Sequence, residues 1–189
     1  MLKLLAPARP DWQFLGVDIA APAVELVEGM NLPNVRGALF DGRRLPAEDK
    51  SFDLAILSHV IEHVEDTRSL IQEAVRVAPW ILVEVPIEST PVLNSLWWFR
   101  AKLGRPRTPN DLGHLRFCSR SEWDRLLEQD GLTVVRQRQY TARKDVIMFG
   151  KQGSAAFKAR LKVLGERVVG SNLWGKLYLS NYAVLARGS

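Results

Sequence analysis

Carboxylates end two of the apolar runs in this sequence. Asp18 closes the run that begins at Trp12, and Asp41 follows the run from Val35 to Phe40. Apolar runs of this length between turn residues indicate buried strands. A carboxylate at the carboxyl end of a strand can accept hydrogen bonds from both hydroxyls of a ribose. The alternative for Asp18 is a solvent-facing residue that starts a turn. The alternative for Asp41 is an Asx-turn, because Asp41-Gly42 is a common turn pair.

A third apolar run, from Phe52 to Leu57, opens into a polar turn that carries Ser58 and His59. The stretch from His59 to His63 has the pattern H-x-x-E-H, in which two histidines on one helix can share a zinc ion and Glu62 can act as a base. A zinc hydrolase that uses His59, Glu62 and His63 is therefore one interpretation. The prediction is nevertheless that no residue binds metal, because His59 comes at the end of a strand and no third ligand is marked downstream.

These polar positions depend on strands and helices that alternate along the chain. The alternation predicts one α/β domain over residues 1–189, with a doubly wound parallel sheet. Open sheets of this kind bind ligands at the carboxyl ends of their strands. The predicted strands are 12–19, 35–40, 52–57, 80–85, 132–140 (near an edge) and 178–186, and the predicted helices are 2–8, 23–30, 66–77, 119–130 and 154–169.

Three short motifs carry a resemblance to a known family. They are Phe40-Asp41-Gly42-Arg43-Arg44-Leu45-Pro46, Ser51-Phe52-Asp53-Leu54 and His59-Val60-Ile61-Glu62-His63-Val64. Their order and spacing resemble the middle of a class I S-adenosylmethionine-dependent methyltransferase of the type 11 kind, over roughly residues 12–135. The resemblance implies a Rossmann-like fold, S-adenosyl-L-methionine as cofactor and methyl transfer to a small-molecule or lipid-like acceptor.

The resemblance also assigns cofactor contacts. Asp18 and the adjacent Ile19 match the place of the ribose-binding acidic residue. Asp41 matches the residue that accepts from the adenine amine, with the backbone of Gly42 beside the ring. Ser58 and His59 would face the methionine end of the cofactor.

The substrate pocket is predicted from residues farther along the chain. His63 and His114 are candidate bases, needed only if the acceptor arrives protonated, and no catalytic residue is assigned. His114 and Arg116 belong to a stretch, His-x-Arg-x-x-Ser, that resembles the one before the helix that follows strand five in these enzymes. Residues 87–117 form an inserted segment that contains Trp97 and Trp98 beside several cations. We expect this segment to cover the substrate and to suit an apolar acceptor with an anionic group, or an anionic membrane surface.

The glycine-rich turn that follows the first strand in this family has no counterpart in the sequence. That turn lets the backbone approach the methionine and directs a helix N-terminus at the ligand. We therefore expect an N-terminally truncated sheet that lacks its central first strand, so that the strands ending at Asp18 and Leu57 share no neighbour. The alternative function is a non-catalytic remnant of the fold that acts as an interaction module.

Composition adds broad limits. The net charge of +5 is a weak indication of an anionic partner, and the sequence carries no clear nucleic-acid signal. The single cysteine, Cys118, permits no internal disulfide and fits a reducing compartment, so we expect a cytoplasmic protein. No apolar run approaches the roughly 18 residues that a membrane span needs. The oligomeric state is left open.

Overall fold

Helices and strands alternate as the sequence predicts. The computed structural model describes residues 1–105, 113–141, 160, 163–170, 173–174 and 180–188. A 3₁₀ turn, Ile61–His63, follows β3. The helices are α1 (Leu2–Ala8), α2 (Ala21–Glu28), α3 (Thr67–Val77), α4 (Pro91–Lys102) and α5 (Arg120–Gln129), and the strands are β1 (Phe14–Asp18), β2 (Val35–Leu39), β3 (Leu54–Ser58), β4 (Trp80–Ile87), β5 (Leu132–Tyr140) and β6 (Ser180–Gly188).

The strands form two sheets. β1 and β2 pair in parallel as a two-stranded sheet, and the second sheet has the order β3-β4-β6-β5. In the second sheet β3 and β4 are parallel, while β6 is antiparallel to both β4 and β5. Within the described residues no strand joins β1 to β3, as expected for the strands ending at Asp18 and Leu57. β5 lies at an edge, which confirms the prediction made from its polar alternation.

The main hydrophobic core surrounds the four-stranded sheet. β4 and β6 alternate between buried and partly buried residues, as strands covered on one face more fully than the other do. α3 covers this sheet with Leu70, Ile71, Ala74 and Val77, which recur at the spacing of one helix face. α5 adds Trp123 and Leu127, both fully buried. This packing fixes the carboxyl ends of β3 and β4, which carry the polar residues of interest.

The two-stranded sheet is covered by α1 and α2. A side chain at Gly16 of β1 would lie 3.1 Å from Leu2 of α1 and 3.1 Å from Val27 of α2, so the glycine permits a close approach of both helices. β1 and β2 are otherwise only partly buried, and Val35 is the one residue of these strands in the buried class. This sheet therefore has little core of its own.

Several element boundaries differ from the sequence predictions. α2 begins at Ala21 rather than Ala23, because Pro22 is accommodated in the first turn. β4 continues through Pro86 to Ile87. The proline is tolerated there because β3 ends opposite Glu84, so no β3 hydrogen bond depends on an N–H at position 86.

The segment 87–117 contains a helix that the sequence analysis did not predict. α4 starts with Pro91 in its first turn, and the side chain of Thr90 accepts a hydrogen bond from the Leu93 N–H. Residues 106–112 of the segment lie outside the described residues, as do half of the predicted helix 154–169 and the start of the predicted strand 178–186. Within the latter two, residues 163–169 are helical and β6 begins at Ser180. None of the helices in the described part of the chain has the length and hydropathy that a membrane span requires.

Candidate functional site at the carboxyl ends of the strands

Asp18 and Asp41 lie at one edge of the two-stranded sheet. The parallel register places Asp18 opposite Leu39, and Asp41 follows two residues later, so both carboxylates leave the sheet at its carboxyl edge. Asp18 is exposed, and its Oδ1 accepts a hydrogen bond of 2.8 Å from the Ala20 N–H. Ile19 beside it is 70% exposed. The arrangement offers two solvent-accessible carboxylates to a polar ligand.

The turn after β2 holds Asp41 in an ionised form. Its Oδ1 accepts hydrogen bonds of 2.8 Å from the backbone N–H groups of Arg43 and Arg44. The bond from Arg44 has the largest effect in lowering the pKa of Asp41, and the bond from Arg43 adds to it. Gly42 has a φ of +82°, and a side chain there would meet nothing within 4 Å, so the backbone is open to a neighbouring group.

Ser58 is the last residue of β3 and His59 follows it, next to the buried carboxylate of Glu62 and the partly buried carboxylate of Glu84. Ser58 donates to Glu84 Oε2 over 2.6 Å, and His59 Nδ1 lies 3.1 Å from Glu62 Oε1. The hydrogen bond with Glu62 raises the pKa of His59, and Glu84 adds to the effect. His59 has a φ of +54° and precedes the 3₁₀ turn. It therefore does not share a helix with His63, as the H-x-x-E-H motif would require.

His63 and His114 are 51 residues apart in sequence and adjacent in space. Their ring centroids are 4.8 Å apart, and the edge of one ring points at the face of the other. His63 Nδ1 lies 3.3 Å from the Gly113 carbonyl oxygen, and His114 Nδ1 lies 2.7 Å from Glu88 Oε2. His114 is 6% exposed, whereas His63 is exposed. The two histidines predicted for one pocket are thus brought together.

Arg116 makes backbone contacts. Its guanidinium donates to the carbonyl oxygens of Val64 and Glu65, the latter over 2.6 Å. A further bond, from the Leu115 N–H to the Glu62 carbonyl oxygen, has a length of 2.8 Å. These contacts hold the loop before α5 against the turn after β3, a structural role that the sequence analysis did not predict.

Trp97 and Trp98 lie on α4 and stack with cations of the same region. The Arg100 guanidinium lies 4.9 Å from the centroid of Trp97, and the Lys102 amine lies 4.1 Å from that of Trp98. Trp98 is 62% exposed.

The sequence analysis missed two carboxylates and a pocket. Glu84 binds Ser58 and also accepts a hydrogen bond from the Tyr140 hydroxyl, and Glu88 binds His114. The signal for Glu84 was a charged residue inside the apolar run of β4. An open pocket of about 420 Å³ lies where β4 ends and α5 begins, and its lining residues are Ile87, Ser89, Thr90, Ser119, Arg120, Ser121, Asp124 and Gln139.

Comparison with known families gives the decisive observation. A family model described as a methyltransferase domain matches residues 1–137, which is 137 of the 189 residues. The chain belongs to this methyltransferase family. Membership confirms the class I resemblance seen in the motifs, and it implies S-adenosylmethionine as the cofactor.

Solved structures of low sequence identity share the fold of this methyltransferase domain. A geranyl diphosphate methyltransferase in complex with S-adenosylmethionine is 11% identical, with 99% of this chain and 73% of that chain covered and a TM-score of 0.62. An S-adenosylmethionine-dependent methyltransferase from Aquifex aeolicus is 14% identical over 92% of this chain and 68% of that chain, at a TM-score of 0.51. The [4+2]-cyclase SpnF is 17% identical over 98% of this chain and 70% of that chain, at a TM-score of 0.59. No curated protein sequence gives a significant match.

The residues present fit the adenosine half of the cofactor. The two carboxylates, at adjacent parallel strand ends, can accept hydrogen bonds from ribose hydroxyls and from an adenine amine. Gly42 leaves open space beside its backbone for the adenine ring. The described residues include no glycine-rich turn for the methionine half. The Rossmann-like α/β fold class predicted from the sequence is confirmed, since the mixed α/β architecture is that of Rossmann-like methyltransferases, whereas the N-terminal truncation stays a prediction.

Proposed function

We propose that this domain transfers a methyl group from S-adenosylmethionine to a small-molecule or lipid-like acceptor. The bound cofactor supplies the methyl group on a cationic sulfonium. The observation that carries the proposal is the placement of Asp18 and Asp41 at one edge of the parallel β1–β2 pair. In the proposed complex, Asp18 accepts from the ribose hydroxyls, Asp41 accepts from the adenine amine, and Gly42 allows the ring to approach the backbone.

The remaining residues act on orientation and on the acceptor proton. Alignment of nucleophile, methyl carbon and sulfur, with water kept out, is most of what a methyl transfer requires. Ser58 and His59 follow β3, where the proposal puts the methionine end of the cofactor. His63 and His114 are the candidates to take a proton from an acceptor that arrives protonated.

Cofactor titration by calorimetry tests this proposal. Asp18→Ala should weaken S-adenosylhomocysteine binding by roughly tenfold or more, since a charged hydrogen-bond acceptor is lost. Asp41→Ala should weaken it less, because its donor is a neutral amine. Asp53→Ala is the matched control, since Asp53 is an exposed aspartate that precedes β3 at the other end of the strand. Equal affinity of the Asp18 and Asp53 variants would show that the ribose assignment is wrong.

The acceptor class is inferred from α4 and the residues that follow it. Leu96, Trp98, Phe99 and Leu103 expose large apolar side chains next to Arg100 and Lys102. This pairing suits an acceptor with an apolar body and an anionic group, or an anionic membrane that presents it. The geranyl diphosphate methyltransferase that shares the fold is named for an acceptor of this chemistry. The single cysteine is consistent with a site of action in the cytoplasm.

Vesicle co-sedimentation tests the membrane part of this inference. The wild-type chain should bind vesicles that contain anionic lipid more strongly than neutral ones. A Trp97→Ala/Trp98→Ala variant should lose most of that binding, because the aromatic rings are the residues expected to enter the interface. Trp12→Ala is the control, since Trp12 is also exposed but lies before β1. Equal sedimentation of the double variant and wild type would contradict the inference.

The second candidate function is a non-catalytic interaction module. The break between β1 and β3 favours it, because the edges of both strands are unpaired within the described residues. The fold also does not dictate methyl transfer, since SpnF with the same fold is named a cyclase. A chain that binds neither S-adenosylhomocysteine nor S-adenosylmethionine in the calorimetric titration would favour this candidate.

A further inference from the structure

All three histidines of the chain collect around one buried carboxylate. The sequence has three histidines, and they are His59, His63 and His114. Glu62 lies among them with an exposure of 0%. Its Oε1 pairs with His59, but its Oε2 is buried and has no hydrogen-bond partner among the described residues. A buried polar atom without a partner is costly, and in a native structure it calls for an explanation such as a water or an ion that completes the site.

Glu62, His63 and His114 are close enough to share that ion. One ligand atom from each of the three residues lies within 4.8 Å of the ligand atoms of the other two. Ligands at about 2.0–2.2 Å from a zinc ion are about 3–4 Å from one another, so side-chain movements on the order of 1 Å would close the set. The exposed position of His63 gives its side chain room for that movement.

Both histidines are oriented as metal-binding histidines commonly are. The Nδ1 atom of His114 lies 2.7 Å from Glu88 Oε2, and the Nδ1 atom of His63 lies 3.3 Å from the Gly113 carbonyl oxygen. A carboxylate or a carbonyl that accepts from one ring nitrogen fixes the tautomer, which leaves the lone pair on the other nitrogen.

We propose that Glu62, His63 and His114 form a binding site for a divalent transition metal of the zinc class. Two imidazoles and one carboxylate suit zinc, and three protein ligands leave a coordination position for water or for an oxygen of a second ligand. Glu88 orients His114, and His59 holds Glu62. This set differs from the one suggested by the H-x-x-E-H motif, because His114 replaces His59 as a ligand and Glu62 is a ligand rather than a base.

The position suggests how the metal would serve the proposed function. The turn Ile61–His63 directly follows β3, at the carboxyl edge where methyl transfer would occur. If the domain is a methyltransferase as proposed above, the open position would receive an acceptor hydroxyl and ease the loss of its proton to solvent water, in place of proton transfer to His63 or His114. The metal site itself does not depend on methyl transfer.

Metal titration of the whole chain tests the site. The purification tag is removed and the protein is freed of metal with a chelator, and Zn²⁺ or Co²⁺ is then titrated by calorimetry and visible absorption without cofactor. We expect about one ion per chain. Glu62→Gln and His63→Ala should each weaken binding by at least about tenfold, and Glu88→Gln should weaken it by about 10- to 100-fold as an orienting residue.

Two controls separate this site from other metal ligands. Cys118→Ser should leave the affinity unchanged, and the Co²⁺ spectrum should lack thiolate charge-transfer bands. The His59→Ala variant should bind the metal more tightly than the His63→Ala variant if His114 is the third ligand. Weaker metal binding by the His59→Ala variant would support the ligands suggested by the motif. Because His63 is exposed, its variant should fold, and far-UV circular dichroism checks this.

The proposal has clear contrary outcomes. Absence of saturable binding at micromolar Zn²⁺ would overturn it, as would affinity unchanged in folded Glu62→Gln and His63→Ala variants. Zinc binding without S-adenosylhomocysteine binding would support the metal site and count against the proposed methyl transfer. S-adenosylhomocysteine binding without zinc binding would overturn the metal site and leave the proposed methyl transfer standing.

Discussion

Arg116 illustrates a residue that shapes the site through the backbone. Its guanidinium binds the carbonyl oxygens of Val64 and Glu65, directly after the turn that carries Glu62 and His63. The loop that carries His114 is thereby fixed to that turn. The Leu115–Glu62 backbone bond, the His63–Gly113 contact and the pair of His114 with Glu88 act in the same direction.

Replacement of Arg116 should lower stability. Arg116→Ala should reduce the free energy of unfolding by about 1.5–3 kcal/mol, the range for hydrogen bonds that involve a charged group. Arg116→Lys should lose less, because it keeps one charged donor. Urea denaturation gives the values, with Arg68→Ala as the control for an exposed arginine on α3. A loss no larger than that of the control would show that the Arg116 bonds contribute little.

Sequence reasoning found site residues whose position is local and missed those whose role is a distant contact. Asp18 and Asp41 could be predicted because a carboxylate directly after a strand lies at a known edge of the sheet. Glu88 reaches His114 across 26 residues, and no local pattern marks that pairing. The unpartnered Oε2 of Glu62 was equally hidden, because it depends on how the surrounding elements pack.

At the scale of elements, α5 begins with a complete capping box. The Ser119 hydroxyl accepts from the Glu122 N–H, and the Glu122 carboxylate accepts from the Ser119 N–H over 2.7 Å. Ser119 with Glu122 three residues later is the sequence pattern of a capping box. The hydrogen bond from the Ser119 side chain, followed by the backbone bond, lowers the pKa of Glu122 below its ordinary value of 4.5.

The capping box should make part of the stability pH-dependent. Because the pKa of Glu122 is lower in the folded state, its contribution is fully present above pH 4.5 and is lost as the pH falls through the folded-state pKa. Wild type should therefore lose more stability than Glu122→Gln between neutral pH and pH ~3. Urea midpoints against pH measure this, with Glu128→Gln in the last turn as the control. Parallel curves for wild type and Glu122→Gln would contradict the prediction.

α4 was hidden from sequence analysis for a physical reason. Its cap residues, Thr90 and Pro91, are ordinary start signals. Its apolar residues, however, do not form one stripe: Leu93 is buried while Leu96, Trp98 and Phe99 are exposed. A helix whose apolar residues face both the protein and the solvent lacks the periodic pattern that indicates a helix.

At the scale of the molecule, the core is concentrated on one of the two sheets. The buried cluster draws on β3, β4, β6, α3 and α5, and Phe40 after β2 only packs against it. β1 and β2 bury little, and β1 has a second edge that pairs with no strand of the described residues. The separation of β1 from β3 in the described residues thus has an energetic consequence, because the two-stranded sheet that precedes Asp18 and Asp41 draws little support from the main core.

Hydrogen exchange should reveal this difference. Amides of β4 and β6 should exchange slowly, at rates near those set by global unfolding, whereas amides of β1 and β2 should exchange at least about tenfold faster through local opening. Residue-resolved exchange in the apo chain measures the contrast. S-adenosylhomocysteine should then slow exchange in β1 and β2 more than in β4 and β6, because a ligand stabilises most the segments that open without it. Uniform protection across both sheets would mean that the two-stranded sheet is supported by contacts stronger than its burial suggests.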